Sequence, residues 1–167
     1  MSKAFTREDD SIAEEPIRRP ASSLPNGAKN YITPKGEQNM RAELARLIEV
    51  ERPTAASLPD EEESARELQL LDARINHLQS SLETAVVIQP PAPPHEQVLF
   101  GATVTVRDQF GESRYRIVGV DETDLDNDEV SWMSPIAKAL LNAKLGQRVK
   151  FSFPAGEDIL EIIDISY

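Results

Sequence analysis

Cysteine is absent from the 167 residues. That excludes thiolate metal sites, disulfides and a cysteine nucleophile, and it accords with a cytoplasmic setting. No apolar run approaches the roughly 18 residues that a membrane span requires. The first residues, Met1 to Phe5, lead into acids rather than an apolar stretch, so no secretory signal is expected. Positive charge is scarce: 18 Lys and Arg face 29 Asp and Glu, a net of −11. Broad nucleic-acid binding through phosphates needs a basic face, so the expected partner is a protein with a basic surface. The few glycines form no phosphate-cradling loop. The two histidines, His77 and His95, are unpaired in sequence, so neither is assigned a metal or a catalytic role. No intrinsic metal site or cofactor is expected.

The chain does carry a strong helical pattern. Leu68, Leu71, Ile75, Leu78, Leu82 and Ala85 follow a 3-4-3-4-3 step. That is a heptad seam, and such a seam needs a partner helix. Met40, Leu44 and Leu47, just upstream, keep the same step. Thr33 reads as the cap of the first helix, with Pro34 in its first turn. Gly36 should weaken that turn by up to about 1 kcal/mol relative to alanine. Pro53 should kink or break the helix. Pro59 suits the first turn of a second helix, expected from about Pro59 to Ala85. Asp60, Glu61, Glu62 and Glu63 then lie at the far end of a helical hairpin. They read either as a solvated first turn that complements the helix dipole or as a functional acidic tip. Asp60 and Glu63, three residues apart, are the better pair for a shared ion.

Around this hairpin, spanning 30–88, the chain divides by composition. Residues 1–29 are proline-rich without apolar periodicity and read as a flexible tail, with Phe5 and Ile17 as short docking points at most. Residues 89–95 hold four prolines and read as a stiff linker. From 96 to 167 the apolar period changes to two. Five strand-like segments begin near Ala102, Tyr115, Val130, Val149 and Ile159, separated by turn signals. Ser134 and Pro135 open one short helix over Ile136–Leu141. The expected class is α+β: an antiparallel two-helix coiled coil followed by an antiparallel sheet with one short helix. Asp121, Glu122, Asp124, Asp126 and Asp128 lack the glycine and terminal glutamate of a calcium loop and read as a turn.

Several short segments resemble the GreA/GreB family of bacterial transcription elongation factors. They are Val98–Val104, Tyr115–Glu122, Ser134–Leu141, Leu145-Gly146 and Pro154–Glu157, in the family's order and spacing. Tyr31–Gly36 and Glu51-Arg52-Pro53 extend the resemblance into the first helix, and the long N-terminus looks closer to GreB-type members. The resemblance implies an FKBP-like C-terminal domain that docks at the rim of the RNA polymerase secondary channel, with Ser134, Pro135 and Ile136 on the docking edge. It implies that the coiled coil enters the channel and that tip acids share a Mg²⁺ with the polymerase active site, promoting cleavage of backtracked RNA. The Asp121-Glu122 segment would face the base of the coiled coil. The protein would not itself be an enzyme, would be a monomer, and would meet nucleic acid only within the transcription complex.

The hairpin departs from the family pattern. With Glu51–Pro53 and the Leu68–Ile88 helix held in family register, about fourteen residues are missing between them. That is a heptad from each arm, and it shortens the rod by roughly 10 Å. The alternatives are a channel-occupying factor without cleavage activity, a regulator of the nucleoside diphosphate kinase type, or an FKBP-like isomerase or chaperone.

Overall fold

The computed structural model describes residues 24–167; most of the tail expected at 1–29 lies outside them. The first arm of the hairpin starts where Thr33 caps it. The Thr33 hydroxyl accepts the Gly36 amide at 2.9 Å, and Pro34 occupies the first turn of α1 (Pro34–Arg46). The break expected at Pro53 does not occur. Instead the helix widens into a π turn over Leu47–Glu51 and continues as α2 (Arg52–Ala56). In an α-helix the Pro53 ring would press on the Glu49 carbonyl. The wider turn, in which the Arg52 amide reaches back to the Leu47 carbonyl, relieves that contact.

The second arm, α3 (Glu61–Thr84), begins two residues later than the sequence suggested. Asp60 is its cap, and Pro59 lies before the cap instead of inside the first turn. One Asp60 oxygen accepts the amides of both Glu62 (2.9 Å) and Glu63 (3.0 Å), a stronger stop than proline alone provides. Met40, Leu47, Ile75 and Leu78 are buried between the arms, with Leu44, Leu71 and Leu82 packed beside them. Each fully buried aliphatic side chain contributes roughly 1.5–3 kcal/mol. Arg74 to Glu43 and Arg52 to Asp72 link the arms at the surface. At the open end, β1 (Asn30–Ile32) and β2 (Ala85–Val87) pair in parallel and close the hairpin's root.

The remaining strands are β3 (Thr103–Asp108), β4 (Gly111–Val118), β5 (Glu129–Ser131), β6 (Arg148–Phe153) and β7 (Gly156–Ser166), in the sheet order β5-β4-β3-β7-β6. The sheet is not wholly antiparallel as expected. The connection from Gly119 to Asp128 carries the chain back, so that β5 runs parallel to β4. It does so through two 3-10 turns, Val120–Glu122 and Leu125–Asn127. A bulge leaves Ile163 without a partner on β3. The extra residue shifts the phase of β7, so Ile162 and Ile165 both reach the core despite their odd spacing. Helix α4 (Pro135–Leu140) buries Ala137 and Leu140 with Val98, Val104, Ile117 and Ile162. The class is α+β.

Candidate functional site: an acidic tip and a latched root

Two acidic segments bracket the hairpin, and the structure gives them different work. At the tip, Glu61, Glu62 and Glu63 are exposed in the first turn of α3. Glu62 lies 3.7 Å from Arg66, one turn along the same helix. Asp60 is also exposed, but its capping bonds commit one of its two oxygens. The turn before it is tied down by the Ser64 hydroxyl, which donates to the Ala55 carbonyl at 2.9 Å. The acids are therefore held on a well-formed helix start, where the dipole favours their charge. Among the described residues, no three His, Asp or Glu side chains gather closely enough to hold a metal ion alone.

At the root, two consecutive acids on one 3-10 turn grip both arms. Glu122 takes the first arm. One of its oxygens accepts the Thr33 amide (2.9 Å) and the Gly119 amide (2.8 Å), and the other accepts the Thr33 hydroxyl. Asp121 takes the second arm, meeting His77 Nε2 at 3.1 Å and accepting the Ser81 hydroxyl. Asn30 completes the network by donating to the Ser81 carbonyl at 3.0 Å. His77 is thus paired, against the sequence expectation. Tyr31 adds an apolar contact, its ring 5.3 Å from Trp132 and 5.9 Å from Phe100.

Two glycines make this latch geometrically feasible. A Cβ on Gly36 would sit 1.8 Å from a Glu122 carboxylate oxygen, and one on Gly119 would sit 2.3 Å from the Tyr31 carbonyl. The helix-weakening Gly36 is therefore the opening through which Glu122 reaches the start of α1. Sequence reasoning missed its role. The available signal was a glycine in a helical first turn, where nearly any other residue favours the helix more. Asp124, also in the acidic run, caps the next 3-10 turn by accepting the Asp126 amide at 3.1 Å.

Ser134, Pro135 and Ile136 form the start of α4. The Ser134 hydroxyl accepts the Ala137 amide at 3.3 Å, Pro135 is exposed, and Ile136 packs against the core. At the surface of the hairpin, the Arg52 guanidinium donates a hydrogen bond to Asp72 and holds its carboxyl below the usual range. His95 lies near Tyr167, with ring centres 4.7 Å apart and planes tilted by 49°.

Residues 93–167 match the family model described as transcription elongation factor GreA/GreB, C-terminal. Transcription elongation factor GreB of Neisseria meningitidis serogroup B is 38% identical over 154 residues, covering 83% of this chain and 94% of that protein. GreB of Pseudomonas aeruginosa is 41% identical over 151 residues, covering 81% and 89%. GreA of Francisella philomiragia is 39% identical over 152 residues, covering 81% and 95%. The Neisseria alignment spans 154 positions but uses 83% of 167 residues, about 139, so about 15 positions have no counterpart here. With relatives this similar along most of its length, the chain belongs to the GreA/GreB family of transcription elongation factors.

Proposed function

We propose that this chain binds RNA polymerase and modulates transcription elongation from the secondary channel. In this reading the sheet domain, FKBP-like in type, docks through the edge at Ser134, Pro135 and Ile136. The helical hairpin, acting as an antiparallel coiled coil, carries Asp60, Glu61, Glu62 and Glu63 inward. The observation that carries the reading is the placement of four acids at the free end of a hairpin whose root is latched to the docking domain. The chain is not itself an enzyme, and any RNA cleavage belongs to the polymerase.

The tip fits a metal-completing role better than a metal-holding one. Carboxylates are hard oxygen ligands suited to Mg²⁺. Yet one Asp60 oxygen is committed to capping, and the acids do not converge on a common point. They can add an oxygen to a Mg²⁺ site that the polymerase supplies, which is the chemistry such a shared ion would need. Reach limits this. If the roughly 15 absent positions divide between the arms, each loses about seven residues, or about 10 Å at 1.5 Å per residue. Carboxylate side chains do not span that gap. The shortened rod therefore favours occupancy of the channel, with weak stimulation of cleavage at most.

Transcript cleavage by stalled polymerase complexes, with and without the purified chain, tests this. The expected result is slowed elongation with little added cleavage. Robust cleavage that disappears in Asp60→Asn plus Glu63→Gln would overturn the occupancy reading. Asparagine keeps the helix cap while removing the charge, so the loss would report on the carboxylates themselves. Failure to bind polymerase would overturn the whole reading.

A further inference from the structure

The hairpin has an apolar face near its tip that its own seam leaves partly open: Leu71 belongs to the seam, but Val50 does not. Val50, Leu58 and Leu71 line a groove of about 410 Å³ with Ala55 at its floor, and Glu51 and Glu67 stand on the rim. Val50 is 58% exposed. An exposed β-branched residue inside a helix contributes little to helix propensity, and here it adds nothing to the buried seam. We propose that this groove receives an amphipathic helix of the polymerase that presents apolar side chains between basic flanks. The inference rests on the polymerase reading above and assigns that partner a second point of contact, separate from the edge at Ser134–Ile136 and from the tip acids.

Charge selects the occupant. Residues 47–72 carry eight acids and two arginines. A second copy of this hairpin would bring the same excess against itself, so self-association through the groove is disfavoured. A nucleic-acid backbone is repelled for the same reason. What fits is a protein segment with an apolar stripe and positive flanks. The groove lies between two helical arms, so a third helix laid along it would anchor through residues three and four apart and complete a three-helix arrangement. Glu67, with the second oxygen of Glu51 (its first meets Arg46), would pair with its flanks, while Val50 and Leu58 would supply the buried contact.

The test uses the full chain and bacterial RNA polymerase core enzyme. Affinity is measured by fluorescence anisotropy for the unaltered chain and for Val50→Asn plus Leu58→Asn, with circular dichroism to confirm that helix content is retained. In parallel, a photo-crosslinking residue at position 50 is irradiated in the complex. The expected results are at least a tenfold loss of affinity for the double variant and a crosslink to a basic-flanked helix of the polymerase. Binding by the unaltered chain that the double variant matches would overturn the groove while sparing the polymerase reading. A crosslink to a second copy of this chain or to nucleic acid would overturn the groove likewise. If the double variant loses helix content, the crosslink alone decides. No binding by the unaltered chain would overturn the polymerase reading and the groove with it.

Discussion

Gly36→Ala should destabilise this protein, against the ordinary rule for a glycine inside a helix. Replacing glycine by alanine in a helix normally stabilises by roughly 0.5–1 kcal/mol. Here the new Cβ would lie 1.8 Å from a Glu122 oxygen, 2.2 Å from its carboxyl carbon and 2.7 Å from its Cγ. Two of the three atoms are the carboxylate end of a flexible side chain, so Glu122 can swing aside, but only by abandoning its partners. It then gives up the Thr33 amide, the Thr33 hydroxyl and the Gly119 amide. Hydrogen bonds to a charged group are worth about 1.5–3 kcal/mol each. Some of that returns when the freed carboxylate and the less enclosed donors meet water. A net loss of about 2–3 kcal/mol is expected once the propensity gain is subtracted. For a chain of this size each kcal/mol moves the midpoint by about 2–4 °C, so Tm should fall by about 5–10 °C. Thermal unfolding followed by circular dichroism measures it. The decisive comparison is a double-mutant cycle with Glu122→Ala. In that background the obstacle is gone, and Gly36→Ala should raise Tm. A rise in the unaltered background as well would refute the latch as the reason for glycine at this position.

Two further outcomes follow from the hairpin. Asp60→Ala removes the cap that accepts two amides and should cost about 1 kcal/mol, whereas Asp60→Asn should cost little; a set of melting curves separates cap from charge. Asp72→Asn should lower Tm by at most a few degrees at neutral pH, because the pair with Arg52 is about half exposed at the surface. The folded-state pKa of Asp72 is lowered, so its contribution is present above the unfolded value near 4 and is lost as pH falls through the lower folded value. The difference between Asp72→Asn and the unaltered chain should therefore vanish in acid, and it should also shrink in high salt.

What could be read in the sequence was local or periodic. The seam from Met40 to Leu82, the caps at Thr33 and Ser134, and the strands around Val104, Ile117 and Val149 each announce themselves within a few residues. What could not be read depends on distant residues. The pairing of Asn30–Ile32 with Ala85–Val87 exists because the hairpin brings its own ends together, and three residues give no pattern of their own. The acidic run from Asp121 to Asp128 read as a turn from its residues alone, and only the family resemblance set Asp121-Glu122 against the base of the hairpin. The run takes the chain back far enough for β5 to lie parallel to β4, and on the way it presents Asp121 and Glu122 to the two arms. Pro53 looked like a break because sequence rules treat the α-helix as the only helix; a wider turn was a third option.

The root and the tip are mechanically one device in the proposed function. Helix α3 has 24 residues, so it is about 36 Å long at 1.5 Å per residue. A tilt of about 5° at its base moves its far end by about 3 Å over that length. A carboxylate that must add an oxygen to a metal at about 2 Å cannot tolerate such an error. Closing two ends with a three-residue strand pair would leave the hairpin free to swing. Gripping both arms from one turn, with Glu122 on the start of α1 and Asp121 on His77 and Ser81 of α3, fixes its direction at two separated points. On this argument Asp121 and Glu122 are positioning residues for acids at the opposite end of the rod. If the arm is shortened as proposed, the same rigidity works against it: a hairpin held this firmly would not lean forward to recover roughly 10 Å of missing length.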